Sequence, residues 1–120
     1  MRVFNIGIDC EEINRFDQKF LKKSNLIKIF TPAEIAYCKN KSSPNVHFAG
    51  KFAAKEAVIK GLSQAGCAIV LNEIEILNNN EGCPICHILN DIYFEYQIKI
   101  SITHSKDVAI AVAVIIQSEV

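Results

Sequence analysis

His47-Phe-Ala-Gly-Lys51-Phe-Ala-Ala-Lys55-Glu56-Ala-Val-Ile-Lys60-Gly61 is the stretch that decides the fold. It is alanine-rich, and its periodicity predicts a helix from about Val46 to Leu62. At about 100° per residue, Ala49, Phe52, Ala53, Glu56 and Lys60 fall on one stripe. A carboxylate among alanines and a phenylalanine is costly to bury unless it is paired or bound to a cation. Lys60 lies four residues on and can neutralise Glu56 as a plain ion pair. A functional site is the other reading of the same residue.

Upstream, Val3 to Cys10 alternates as a strand does. Phe4, Ile6, Ile8 and Cys10 share one face, and Val3, Asn5, Gly7 and Asp9 the other. Asp9 stands at the strand end, where Gly7 leaves room for something to approach. That suits a metal ligand, and a helix cap is the alternative. The spacing of Ile13, Phe16 and Phe20 predicts a helix from Glu11 to Lys22 or Lys23, with Arg15, Lys19, Lys22 and Lys23 outside its apolar stripe. Thr31-Pro-Ala-Glu34 is a capping box that starts a helix running to Lys39. A loop rich in Asn and Ser follows, from Asn40 to Asn45.

Downstream of the long helix the pattern is β. Strands are predicted over Ile69–Leu77, Pro84–Leu89, Ile98–His104 and Val108–Ile116, with turns at Asn78–Gly82 and Ser105–Asp107. Residues 91–97 read either as strand or as a short covering helix started by Asn90, and helix is preferred. His104 closes a strand on its apolar face, beside Ser105 and Lys106. A core histidine and a phosphate contact are both open readings of it.

Composition bounds the function classes. The chain has 120 residues, half of them hydrophobic, and a net charge of zero. Length predicts one domain. No apolar run is long enough to span a membrane, and the N-terminus lacks a signal-peptide layout, so a soluble cytoplasmic protein is expected. Residues 14–60 carry ten basic and three acidic side chains. Such a bias attracts a phosphorylated ligand or an acidic macromolecule, unless it is only a solvated face. Nucleic acid is disfavoured because no exposed aromatics interleave with the basic residues. The five cysteines are odd in number and irregularly spaced, which suits reduced thiols. Cys83-Pro-Ile-Cys86 enters a strand rather than a helix, so it lacks the setting of a redox or zinc motif.

Four blocks together resemble one family. Gly7-Ile-Asp9-Cys-Glu-Glu12-Ile-Asn-Arg15-Phe16 is similar to the N-terminal signature of holo-acyl-carrier-protein synthases, and Phe30-Thr-Pro-Ala-Glu34-Ile-Ala-Tyr-Cys38 to their second segment. Phe48–Gly61 resembles the core motif of the 4'-phosphopantetheinyl transferases, and Ser101–Ala111 their final hairpin. The blocks occur in the family's order and span nearly the whole chain.

The resemblance implies an α+β fold of that transferase type, with an N-terminal strand and helices packed on a mostly antiparallel sheet. It implies a homotrimer that binds coenzyme A between neighbouring subunits. The implied reaction moves 4'-phosphopantetheine from coenzyme A to a serine of apo-acyl carrier protein, in fatty acid biosynthesis, and releases adenosine 3',5'-bisphosphate. Asp9 and Glu56 would hold Mg2+ beside the pyrophosphate, with Glu56 also the candidate base. Lys60 would contact the phosphate being transferred. Lys51, His104 and Ser105 would meet the 3'-phosphate end, and Arg15, Lys22 and Lys23 the acidic carrier. Lys51 stands where the family usually has arginine, which keeps the charge and loses the bidentate fork. The rival reading is an oligomer that binds coenzyme A or a nucleotide without catalysis.

Overall fold

Strand β1 (Val3–Glu12) runs antiparallel to β5 (Val108–Gln117), which pairs on its other side with β4 (Tyr96–His104). The computed structural model describes residues 3–90 and 95–117. Between β1 and the hairpin β4–β5 lie three helices, α1 (Lys23–Leu26), α2 (Pro32–Lys39) and α3 (Pro44–Gln64). A separate two-stranded ribbon follows them, β2 (Ile74–Asn78) with β3 (Pro84–Ile88). Every pairing is antiparallel, so the α+β architecture expected from the sequence is the one observed.

Helix α3 lies across the inner face of the three-stranded sheet. That face is built from small residues on both sides. Ala109, Ala111 and Ala113 of β5 are buried against Ala49, Ala53 and Ala57 of α3. The approach is closest at Gly7. A methyl group there would sit 1.7 Å from the Ala57 carbonyl oxygen and 2.8 Å from the Gly61 nitrogen. Glycine is therefore required at this point by contact between backbones. Phe48, Val58 and Leu62 project from α3 into the space around this seam and are fully buried, each contributing about 1.5–3 kcal/mol.

Edge strand β1 is stitched to the same helix. Lys60 Nζ donates to the Ile8 carbonyl at 3.0 Å, and Gln64 Nε2 to the Ile6 carbonyl at 2.9 Å. The opposite face of β1 is bare, with Phe4, Ile6 and Ile8 each more than half exposed.

The capping box forms as predicted, with Thr31 accepting from the Glu34 backbone and Glu34 from that of Thr31. Glu34 does more than cap. It is fully buried, accepts from the Ile76 N–H at 2.7 Å and pairs with Lys55 at 2.7 Å. Lys55, equally buried, also donates to the carbonyls of Ile29 and Leu71.

Three expectations need correction. The helix placed over residues 11–23 is absent. The ladder to β5 holds Glu11 and Glu12 extended, opposite Ala109 and Val108. A 3-10 turn then covers Ile13–Phe16, and Asp17 Oδ1 accepts from the Phe20 N–H to set the next turn. Ile13 and Phe16 are buried all the same, since a spacing of three serves a 3-10 turn as well as a helix. The strand placed from Ile69 starts only at Ile74, after a 3-10 turn at Leu71–Glu73 that offers its Leu71 carbonyl to Lys55. The helix preferred over 91–97 fails where it can be seen. Tyr96 and Gln97 open β4, while residues 91–94 lie outside the described part.

Gly7→Ala should lower unfolding free energy by about 3 kcal/mol or prevent folding, as read by urea denaturation. Lys55→Met leaves Glu34 buried and unpaired. That variant should lose roughly 3–5 kcal/mol in the same measurement.

Candidate functional site

The close approach at Gly7 brings the inward side chains of β1 to the middle of α3. Asp9, two residues on from Gly7 and on the same face, meets Lys60 with its Oδ1 3.1 Å from the ammonium. Of the two readings of Glu56, the ion pair with Lys60 is not seen among the described residues, because the lysine spans to the strand instead. Glu56 stays half-buried one turn earlier on α3, with its carboxyl raised above the usual range. Burial is the first cause and the Asp9 charge the second, while Lys60 pulls the other way. Asp9 is no helix cap, since β1 continues past it to Glu12. Its Oδ2 is buried and has no hydrogen-bond partner among the described residues.

A third carboxylate belongs to this group. Glu11 follows Asp9 by two on the same strand face, is only 7% exposed, and pairs with Arg15 at 2.8 Å. Burial pushes its carboxyl up to about 7, helped by a hydrogen bond to Asp9 and the charges of Asp9 and Glu56, against the pull of Arg15. Alternation along β1 marks Glu11 as a companion of Asp9, a signal that sequence reasoning left unused. Three acids thus crowd a place with two cations, Lys60 and Arg15.

The donors here are carboxylate oxygens, which suit a hard cation. Among the described residues no three His, Cys, Asp or Glu side chains are close enough to cage a metal by themselves. Asp9 and Glu56 instead form an open pair. That fits an ion which keeps several waters and takes further oxygens from a ligand.

A second feature lies two strands away. His104 ends β4 opposite Ala109, which faces Glu11, so His104 stands about 10 Å across the sheet from the acids. It is exposed, which rules out a core histidine. It lines a cleft of about 270 Å³ together with His47 and Lys51 of α3, Tyr37 of α2, and Asn78 and Gly82 of the β2–β3 hairpin. The Lys51 ammonium bonds Asn78 Oδ1 at 2.7 Å and the Ile76 carbonyl, and stands 4.6 Å from the centre of the Tyr37 ring. Asn78 in turn donates to the Gly82 carbonyl, so Lys51 fastens the wall of the cleft. Ser105 is exposed beside His104 and does not line the cleft.

Arg15 sits on the 3-10 turn and Lys22 precedes α1, both exposed; Lys23 is the first residue of α1. The basic bias of residues 14–60 is partly internal, since Lys51 and Lys55 are buried. The thiols form no disulfide, and burial pushes Cys86 up to about 12, leaving it unreactive.

Comparison with known proteins identifies the family and the fold. A sequence model of the 4'-phosphopantetheinyl transferase superfamily matches residues 5–113. A holo-[acyl-carrier-protein] synthase of Caldicellulosiruptor bescii is 42% identical, covering 93% of this chain and 97% of its own. The Bacillus anthracis holo-(acyl-carrier-protein) synthase, solved in complex with CoA (3',5'-ADP), superposes with a TM-score of 0.81 at 32% identity, covering 98% of this chain and all of that one. The Helicobacter pylori enzyme in complex with coenzyme A gives a TM-score of 0.76 at 34% identity, over 92% of this chain and 98% of that one. The α+β fold is theirs, and this chain belongs to the 4'-phosphopantetheinyl transferase superfamily.

Proposed function

We infer that this protein is a holo-[acyl-carrier-protein] synthase. It transfers 4'-phosphopantetheine from coenzyme A to a serine of apo-acyl carrier protein, in fatty acid biosynthesis. The observation that carries this reading is the convergence of Asp9, Glu56 and Lys60 across the Gly7 contact, in a chain of this family. Two acids and one lysine at an open rim are what a phosphoryl-transfer site requires from a protein. Such chemistry rests on positioning and on neutralising charge.

Asp9 and Glu56 would hold Mg2+, a role supported by the partnerless Oδ2 of Asp9 and the raised carboxyl of Glu56. When bound, the ion supplies Lewis-acid polarisation of the pyrophosphate oxygens. Lys60 has three protons. Ile8 and Asp9 take two, and the third can meet the phosphate in transfer. The carrier's serine oxygen forms a bond to the phosphorus that bears the pantetheine arm. The bond from that phosphorus to adenosine 3',5'-bisphosphate breaks. The serine proton goes to Glu56, the candidate base.

His104, Ser105 and Lys51 take the 3'-phosphate end. Lys51 contributes its charge from the cleft wall, where two of its protons are already bonded. Arg15, Lys22 and Lys23 receive the acidic carrier. Arg15 also touches Glu11, which ties the docking surface to the acids. The bare face of β1, with Phe4, Ile6 and Ile8, continues onto Ile110, Val112 and Val114 of β5. An apolar face of this kind suits burial between copies of the chain, in the homotrimer that would complete the coenzyme A site. Unpaired cysteines fit a reducing compartment such as the cytoplasm.

With Mg2+, coenzyme A and an apo-acyl carrier protein, the enzyme should add one phosphopantetheine to the carrier, seen as a mass gain in mass spectrometry. No gain at high enzyme concentration with several carriers overturns the proposal. Glu56→Gln should keep the fold by circular dichroism and lose at least ~100-fold in turnover. Wild-type activity in that variant would remove Glu56 from the site. Mg2+ should raise the melting temperature of the wild-type protein and leave Asp9→Asn unmoved.

A further inference from the structure

The cleft beneath His104 contains an ionisable group with no role in the scheme above, His47. It stands on α3 one turn before Lys51, edge-on to the Tyr37 ring with centroids 5.9 Å apart. The groups facing it come from every neighbouring element. Tyr37 belongs to α2, Lys41 to the loop after α2, Lys51 to its own helix and His104 to β4. Lys41 and Lys51 both stand over the Tyr37 ring, at 4.4 and 4.6 Å from its centre. The hairpin contributes Asn78, Gly82 and Pro84, none of them charged, and among the described residues no carboxylate lines the cleft.

A cleft lined by three basic side chains, His47, Lys51 and His104, with the Lys41 charge close by and no acid among its described lining residues, calls for an anion. Its volume, about 270 Å³, accommodates a phosphate with part of a sugar, and the rest of a larger ligand would extend outside it. Lys51 is largely committed to Asn78 and the Ile76 carbonyl, so the remaining basic groups lining the cleft are the two imidazoles.

We propose that His47 is a specificity-determining residue. Together with His104 it recognises the 3'-phosphate of coenzyme A and so separates coenzyme A from dephospho-coenzyme A. That role presupposes the coenzyme A reading of the cleft. In the free protein His47 is held below the usual histidine range, first by burial and then by the charges of Lys41, His104 and Lys51. A phosphate monoester brings nearly two negative charges at neutral pH. It reverses that balance, and the imidazole takes up a proton as the ligand binds. Proton uptake on binding makes the complex tighter as pH falls. Dephospho-coenzyme A lacks the monoester and should show neither effect.

Calorimetry at pH 7 in two buffers of different ionisation enthalpy tests this, with coenzyme A and dephospho-coenzyme A as ligands. Wild-type protein should prefer coenzyme A and take up a proton with it. His47→Phe, which keeps the ring against Tyr37, should lose about tenfold of that preference and most of the uptake. His47→Arg, with a fixed charge, should keep the preference and lose the uptake. Unchanged preference and uptake in folded His47→Phe overturn the role. If that variant does not fold, undiminished proton uptake in His47→Arg overturns it instead. Wild-type protein that binds the two ligands equally also overturns it while leaving the transferase reading intact. Wild-type protein that binds neither overturns both.

Discussion

The contact between Gly7 and the backbone of α3 sets the rest of the molecule. A strand and a helix that carry ordinary side chains at their crossing stay about 10 Å apart. Here the space available at Gly7 is smaller than one methyl group. Alanines along α3 and β5 extend that closeness over the sheet. The consequence for chemistry is direct. Residues within a few positions of the crossing on each element are brought within reach of each other, which lets Lys60 bridge to Asp9. A wider crossing would leave Asp9 and Glu56 as separate surface acids.

Helix α3 carries three lysines whose surroundings give them different work. Lys55 is sealed inside with Glu34 and two carbonyls, and joins α2, the ribbon and the loop at Ile29. Lys51 reaches the edge of the cleft and secures the hairpin turn through Asn78. Lys60 is half in solvent and faces the acids. An ammonium becomes more costly to desolvate with depth, so Lys55, the deepest, has three fixed acceptors, while Lys51 and Lys60 have two each. The gradient runs along one helix, four to five residues at a time.

Much of this was legible in the sequence where the determinant is local. The alternation of β1, the Thr31–Glu34 box, the alanine helix and the apolar run of β5 each name their element, and the structure has them. The segment after Asp9 was not legible, because Ile13, Phe16 and Phe20 satisfy helical spacing while the ladder that extends β1 to Glu12 comes from residues almost a hundred positions away. The β2 boundary was misread for a similar reason. The demand for a carbonyl at Leu71 is made by Lys55, which no window around residue 70 contains. At the site, face assignment put Asp9 beside Gly7 and Glu56 on the covered stripe. For Lys60 it offered Glu56 as one possible partner, since the rule for residues four apart sees only one helix. Glu11 and His47 were readable by the same periodicities, two after Asp9 and four before Lys51, but their partners lie on other elements and no local spacing singles them out.

The stitching of β1 to α3 has a consequence for how this protein meets its own kind. An edge strand normally displays a row of free carbonyls that another chain can add to, strand upon strand without end. Here Lys60 and Gln64 already occupy the carbonyls of Ile8 and Ile6. The apolar surface of the same strand points out of the sheet plane instead. Copies that associate must therefore meet broadside, through side chains. Side-chain contacts of that kind do not template strand upon strand as an open edge does.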